Sequence, residues 1–320
     1  MKYKTDFCLA NYILKSRFNI TMRKEQFLNR AAVKSFIEWI SLRLDGNTPF
    51  NHIYILKRPR GVVWECDSIY SAYENYKWAF TCKSPLNNDS LIGETFEECK
   101  FLLTDLSNGL RESIAQNDTI LCQKYCIAIL DWGGVLNGNR NKVFELGDNI
   151  TTYFSDCKER LNANVFNLSG NYRDIIMTAG FTKIYSLLID DFIIYDGRVG
   201  AALGLLVRKY CEEKALRAIP PELLFAYGNS KGDDYGVQNR RNPSQGIYKF
   251  PLLIANKKHT ENNIRANWIL KEILSKSVSK FNTVEPQTRL RAFESALFMI
   301  GYDVLQTSMG HLNVEQTSHQ

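Results

Sequence analysis

Residues 178–207, TAGFTKIYSLLIDDFIIYDGRVGAALGLLV, are almost wholly apolar, yet they carry one lysine, three aspartates and one arginine. A run this apolar has to be buried, and burying an ionised side chain is strongly unfavourable unless it is paired or reaches water. The chain must therefore wrap other elements around this stretch. It must also give Lys183, Asp190, Asp191, Asp196 and Arg198 each a partner or an opening. A bilayer span is the alternative fate of such a run, but it needs about 18–20 consecutive apolar residues. The charges at 190, 191, 196 and 198 interrupt the run too often for that. No membrane partner is expected.

The elements available to wrap it read as mainly helical. QFLNRAAVKSFIEWISLRL (26–44) repeats Phe27, Ala31, Val33, Phe36, Ile37, Ile40 and Leu44 near a 3.6-residue period, which predicts an amphipathic helix. HIYILKRPRGVVWECDSIY (52–70) is rich in β-branched and aromatic residues and is broken by Pro59 and Gly61. It predicts two short strands, a small β element near the N-terminus. From Thr95 to Leu130 the pattern is again helical, and DWGGVLNGN (131–139) supplies a stop and a turn. YGNSKGDDYGVQNRRNPSQG (227–246) reads as a polar surface loop, and helices follow over 260–280 and 286–305, the last burying Leu290, Phe293, Leu297 and Ile300. The expected organisation is a mainly α protein with a helical lobe carrying short strands (1–115), a second helical domain (116–310) and a frayed tail (311–320).

Charge and cysteines narrow the partners. The net charge of +6 includes no basic tail, so any phosphate-binding surface has to be assembled by folding. Cys122 and Cys126 form C-x-x-x-C, but no second pair stands at ligand spacing and the four histidines lie far away, so no metal or iron–sulfur cofactor is expected. The N-terminal residues lack the apolar core of a secretory signal, which predicts a cytoplasmic protein.

The chemistry concentrates in the opening stretch. NYRDIIMT (171–178) predicts a short helix, AGF (179–181) a tight turn and TKIYSLLI (182–189) a second short helix. Such a turn can present backbone N–H groups to an anion at the start of the second helix, gripping a DNA phosphate without reading sequence. Asp196 then precedes GRVGAALGLLVRKY, where Val199, Leu203, Leu206 and Tyr210 recur at helical spacing. The aspartate is either a simple N-cap or a carboxylate kept ionised at a helix N-terminus to stabilise developing positive charge. Lys183 is either an exposed helix lysine or a functional amine.

This order of hairpin glycine, lysine, apolar helix, short connection and aspartate resembles the helix-hairpin-helix DNA glycosylases. IYDGRVGAAL (194–203) is similar to the I-Y-D-S-R-V stretch of bacterial proteins with an 8-oxoguanine-glycosylase-like fold, and DWGGVLNGN and LRAFESALFMIGYDV have similar counterparts there. The hairpin keeps one of the usual glycines, and the lysine-to-aspartate interval is several residues shorter. The resemblance implies Gly180 as the hairpin glycine, Lys183 as the nucleophile and Asp196 as the essential carboxylate. It also implies DNA contacts around Gly180, Phe181 and Thr182. Arg198 would pair with Asp196 or with phosphate, and Arg240 and Arg241 would reach DNA from the polar loop. Phe181, Trp132 and Phe298 are the candidates to stack on an extruded base or fill its gap. The implied activity is excision of a modified base, 8-oxoguanine-like or a phage-modified cytosine, from double-stranded DNA by a monomer at the bacterial nucleoid. Schiff-base strand cleavage would accompany it, and no cofactor is needed. The competing expectation is a non-catalytic helix-hairpin-helix module that only docks on DNA.

Overall fold

The computed structural model describes residues 21–46, 51–57, 59, 61–167, 172, 174–230 and 240–305. The tail 311–320 and the middle of the 227–246 loop lie outside them. In chain order the elements are β1 (Thr21–Arg23), α1 (Lys24–Leu28), α2 (Ala31–Ser41), β2 (His52–Ile55), β3 (Val63–Cys66), α3 (Ile69–Glu74), β4 (Phe80–Lys83), β5 (Ser90–Gly93), α4 (Phe96–Ala115), α5 (Thr119–Trp132), α6 (Arg140–Glu145), α7 (Ile150–Asn162), β6 (Val165–Asn167), α8 (Phe181–Leu188), α9 (Gly197–Glu213), α10 (Lys257–Lys276) and α11 (Pro286–Ile300). The protein is mainly helical with small sheets.

Local chemistry explains most boundaries. Thr95 and Glu98 close a capping box at the start of α4, and the Asp118 carboxylate accepts the Leu121 N–H at the start of α5. β2 and β3 pair antiparallel, with His52 opposite Cys66, as the residue pattern at 52–70 predicts. A second hairpin, β4 with β5, turns through SPLNNDS, and β1 pairs with the distant β6. The expected helix over 26–44 is instead two helices. The α1 ladder stops at Asn29, and Arg30 takes an extended conformation (φ −64°, ψ 133°) before α2.

The segment before α8 also departs from expectation. Residues 174–178 form no helix. Their backbone groups are claimed from elsewhere: the Ile176 N–H donates to the Tyr153 hydroxyl (2.7 Å), the Ile176 carbonyl accepts from Tyr185 (2.9 Å), and the Met177 carbonyl accepts from the Asn256 N–H (2.8 Å). With those bonds made, no i→i−4 ladder is needed to satisfy the buried chain.

The apolar stretch becomes the centre of the molecule. All eight residues of α8 are buried, and α4, α5 and α7 pack around it. α2 packs on α10, and α3 on α11, so elements from before residue 115 share one hydrophobic core with elements after it. Among the described residues, no helix is long and apolar enough to cross a membrane.

Two histidines inside this core make stability pH-dependent. His52 Nε2 bonds to the Ile300 carbonyl (3.0 Å) and His259 Nε2 to that of Tyr195 (2.6 Å). Burial pushes both pKa values down, from the ordinary 6.5 to about 4. The unfolded chain therefore binds protons between pH 6.5 and 4 that the folded protein refuses, so stability falls as pH drops through that window. The expected loss is about 3 kcal/mol per histidine by pH 4. Denaturant titrations between pH 7.5 and 4 measure it, and a His259→Asn variant should show a shallower fall. An equally steep fall in that variant would rule His259 out as a contributor.

Candidate active site

Lys183, the third residue of α8, is buried, with its side chain 7% exposed. It leaves the core by crossing the backbone where α5 ends. A Cβ built on Gly133 would lie 2.3 Å from the lysine Cδ and 2.5 Å from its Cε, so glycine at 133 opens the path for the amine. The Nζ then donates to the Ala179 carbonyl (3.3 Å) and stands 3.7 Å from Asp196 Oδ2. Burial lowers the lysine pKa, while Asp196 and Glu294 pull it partly back up.

Asp196 caps α9. Its Oδ1 accepts the N–H groups of Arg198 (2.9 Å) and Val199 (3.1 Å), which leaves Oδ2 facing Lys183. Burial alone would raise its pKa. The Lys183 ammonium, the Val199 N–H and the Arg198 and Arg241 guanidinium groups outweigh burial and hold the carboxyl below the ordinary value of 3.8. Asp196 is thus the N-cap of the helix, and capping fixes the carboxylate in place beside Lys183. Gly197 and Gly228 let the segment around residue 228 pass directly over the helix start, with the Gly228 N–H on the Gly197 carbonyl at 3.3 Å.

Lys183 and Asp196 both line a cleft of about 1090 Å³. Folding gathers Lys57, Lys100, Lys142, Arg198, Arg240, Arg241 and Arg291 onto its walls with Lys183, against two carboxylates, Asp196 and Glu294. A chain with a modest excess of positive charge has concentrated it here, and such a cleft focuses an attractive field for polyanions. The Arg198 guanidinium sits over Phe298 (4.3 Å to the ring centroid), Tyr302 (4.9 Å) and Trp78 (5.4 Å). A cation in the first turn of a helix costs about 0.3–1 kcal/mol against the dipole. Three ring faces at about 0.5–2 kcal/mol each more than offset that.

Several expected residues meet in this cleft. Gly180, Trp132, Phe298, Arg198, Arg240 and Arg241 all line it with Lys183 and Asp196. Arg240 also pairs with Asp303 (3.3 Å), and Arg241 donates to the Asn229 carbonyl (3.4 Å). Phe181 and Thr182 do not fit their expected roles as DNA contacts. Both are fully buried, with Phe181 packed on Phe154 and Tyr185 and the Thr182 hydroxyl on the Ala179 carbonyl. The expected phosphate grip at the start of α8 also changes character. The Phe181 N–H goes to Thr178 Oγ1, that of Thr182 to the Thr178 carbonyl and that of Lys183 to the Gly180 carbonyl. Gly180 itself has ordinary helical angles (φ −74°, ψ −52°), and its missing side chain instead makes room for Asn139, whose Nδ2 would lie 2.5 Å from a Cβ. The remaining charges of the stretch are surface pairs, Asp190 with Arg111 (2.7 Å) and Asp191 with Lys271 (3.6 Å).

Sequence reasoning missed Gly133, Trp78, Tyr302, Arg291 and Glu294. Glu294 accepts from the Ile194 N–H (2.8 Å) and from Arg291 (2.7 Å), and Arg291 also donates to the Ser186 carbonyl (3.1 Å), which braces the connection between α8 and α9. Burial raises the Glu294 pKa despite Arg291. One signal was present: in LRAFESAL the acid sits beside Phe293 on the face that has to be buried. No family model, curated protein or solved structure matches this chain.

Proposed function

We propose that this protein is a DNA N-glycosylase that excises a modified base from double-stranded DNA, with Asp196 and Lys183 as its catalytic residues. One observation carries the reading: a desolvated amine and an ionised carboxylate, 3.7 Å apart, share one wall of a basic, aromatic-lined cleft. Base excision needs those parts. The target nucleotide is turned out of the stack into a pocket, and the bond from C1′ to the base nitrogen breaks, its electrons leaving with the base, which takes up a proton. The sugar becomes cation-like at C1′, and the fixed Asp196 carboxylate stabilises that charge without having to reorganise. The Lys183 lone pair then forms a bond to C1′ and the nitrogen sheds a proton. The C1′–O4′ bond then breaks, O4′ takes up a proton, and the C1′=N Schiff base that remains permits β-elimination, in which C2′ loses a proton and the 3′ phosphate leaves. A lysine does this only as a free amine, which is what its burial favours.

The basic walls suit the flanking phosphates, whose neutralisation supplies sequence-independent affinity. Trp132, at the end of α5, borders the cleft and is the aromatic residue proposed to meet an extruded base. The test is a panel of duplexes, each with one modified base, assayed for free base and for abasic sites. Release of a base from at least one member is expected. Salt-sensitive binding with no abasic product from any would instead mark a module that only docks on DNA.

A further inference from the structure

Arg198 is placed against ordinary rules. It is a cation in the first turn of α9, it is largely removed from water, and the charge of a second guanidinium, Arg241, acts on it. Among the described residues, no carboxylate forms an ion pair with its guanidinium. Asp196 takes only the backbone N–H of Arg198 and turns its other oxygen to Lys183. Three aromatic rings hold the guanidinium, and Gly301 lets the end of α11 close on it, since a Cβ there would lie 1.9 Å from the Arg198 carbonyl oxygen. Ring faces balance the charge but accept none of the five N–H donors in the usual way. Among the described residues, no acceptor hydrogen-bonds that guanidinium, and it borders the cleft. A pre-oriented planar fork with open donors is half of a bidentate pair.

We propose that Arg198 reads the extruded base, donating two parallel N–H bonds to adjacent acceptors on its edge, as cytosine offers at O2 and N3 and guanine at O6 and N7. This rests on the glycosylase reading. The base is bonded to C1′, the atom that Lys183 and Asp196 must reach, so it is the planar group closest to Arg198, while Lys57, Lys100 and Lys142 on the cleft walls suit phosphates. The substrate class follows. Uracil places an N–H between its carbonyls, adenine alternates donor and acceptor, and 8-oxoguanine carries a proton on N7. All three lack the adjacent pair, whereas a substituent on cytosine C5 leaves O2 and N3 intact.

The experiment compares single-turnover release from duplexes holding 5-hydroxymethylcytosine with and without a glucose, N2-ethylguanine, uracil, N6-methyladenine or 8-oxoguanine. It uses the parent protein and the variants Arg198→Lys and Arg198→Gln, with melting curves checking that both variants are folded. The parent should favour a cytosine- or guanine-derived base by about tenfold or more. Arg198→Lys, which keeps the charge but loses the fork, should erase most of that preference. A parent that favours uracil, N6-methyladenine or 8-oxoguanine overturns the proposal with no variant needed. So does an Arg198→Lys variant that slows every substrate equally and shows a shallower salt dependence, the mark of a phosphate contact. Those results leave base excision standing, whereas release from no duplex sinks the glycosylase reading and this inference with it.

Discussion

Replacing Asp196 with asparagine is expected to slow base release by about 10²–10³-fold while leaving the fold in place. The two effects separate because the carboxylate does two jobs with two oxygens. Oδ1 caps α9 through the Arg198 and Val199 N–H groups, and an asparagine carbonyl caps about as well. The negative charge beside Lys183 has no such substitute. A neutral amide cannot stabilise a cation-like sugar. Single-turnover release measures the first effect and the denaturant midpoint the second. Parent-like release from a folded Asp196→Asn protein would remove this residue from the chemistry.

Lys183→Gln is expected to abolish the covalent protein–DNA adduct trapped by borohydride and to slow release by on the order of 10²–10⁴-fold. The pH dependence supplies an independent check. An ordinary lysine loses its proton near 10.5, and burial lowers that value here. The amine therefore becomes neutral, and the adduct accumulates, as pH rises through a midpoint below 10.5. An adduct that persists in Lys183→Gln would mean that another amine attacks. Unchanged release with no adduct in the parent would mean that water does.

The elements that could be read from the residues were those set by local periodicity and caps. The last helix, α11, buries Leu290, Phe293, Leu297 and Ile300 as its spacing requires, and α9 begins behind Asp196 as its capping chemistry requires. Elements set by distant partners could not be read. The 174–178 segment has two isoleucines at positions a helix would accept, but Tyr153, Tyr185 and Asn256 claim its backbone groups. Gly180 looked like a turn glycine, although its role is to admit Asn139.

From the sequence alone it followed that an apolar stretch carrying Lys183, Asp196 and Arg198 must sit inside the molecule, because unscreened apolar surface is driven from water wherever it lies in the chain. Asp196 at the head of a helix followed too, since capping depends only on neighbours in sequence. Tertiary structure alone decided what those charges face. Gly133 clears the path of the lysine, the rings of Trp78, Phe298 and Tyr302 converge on the arginine, and distant basic residues close around one cleft. Electrostatic and ring contacts act over a few ångströms of space, and packing brings together residues that sequence separation keeps apart.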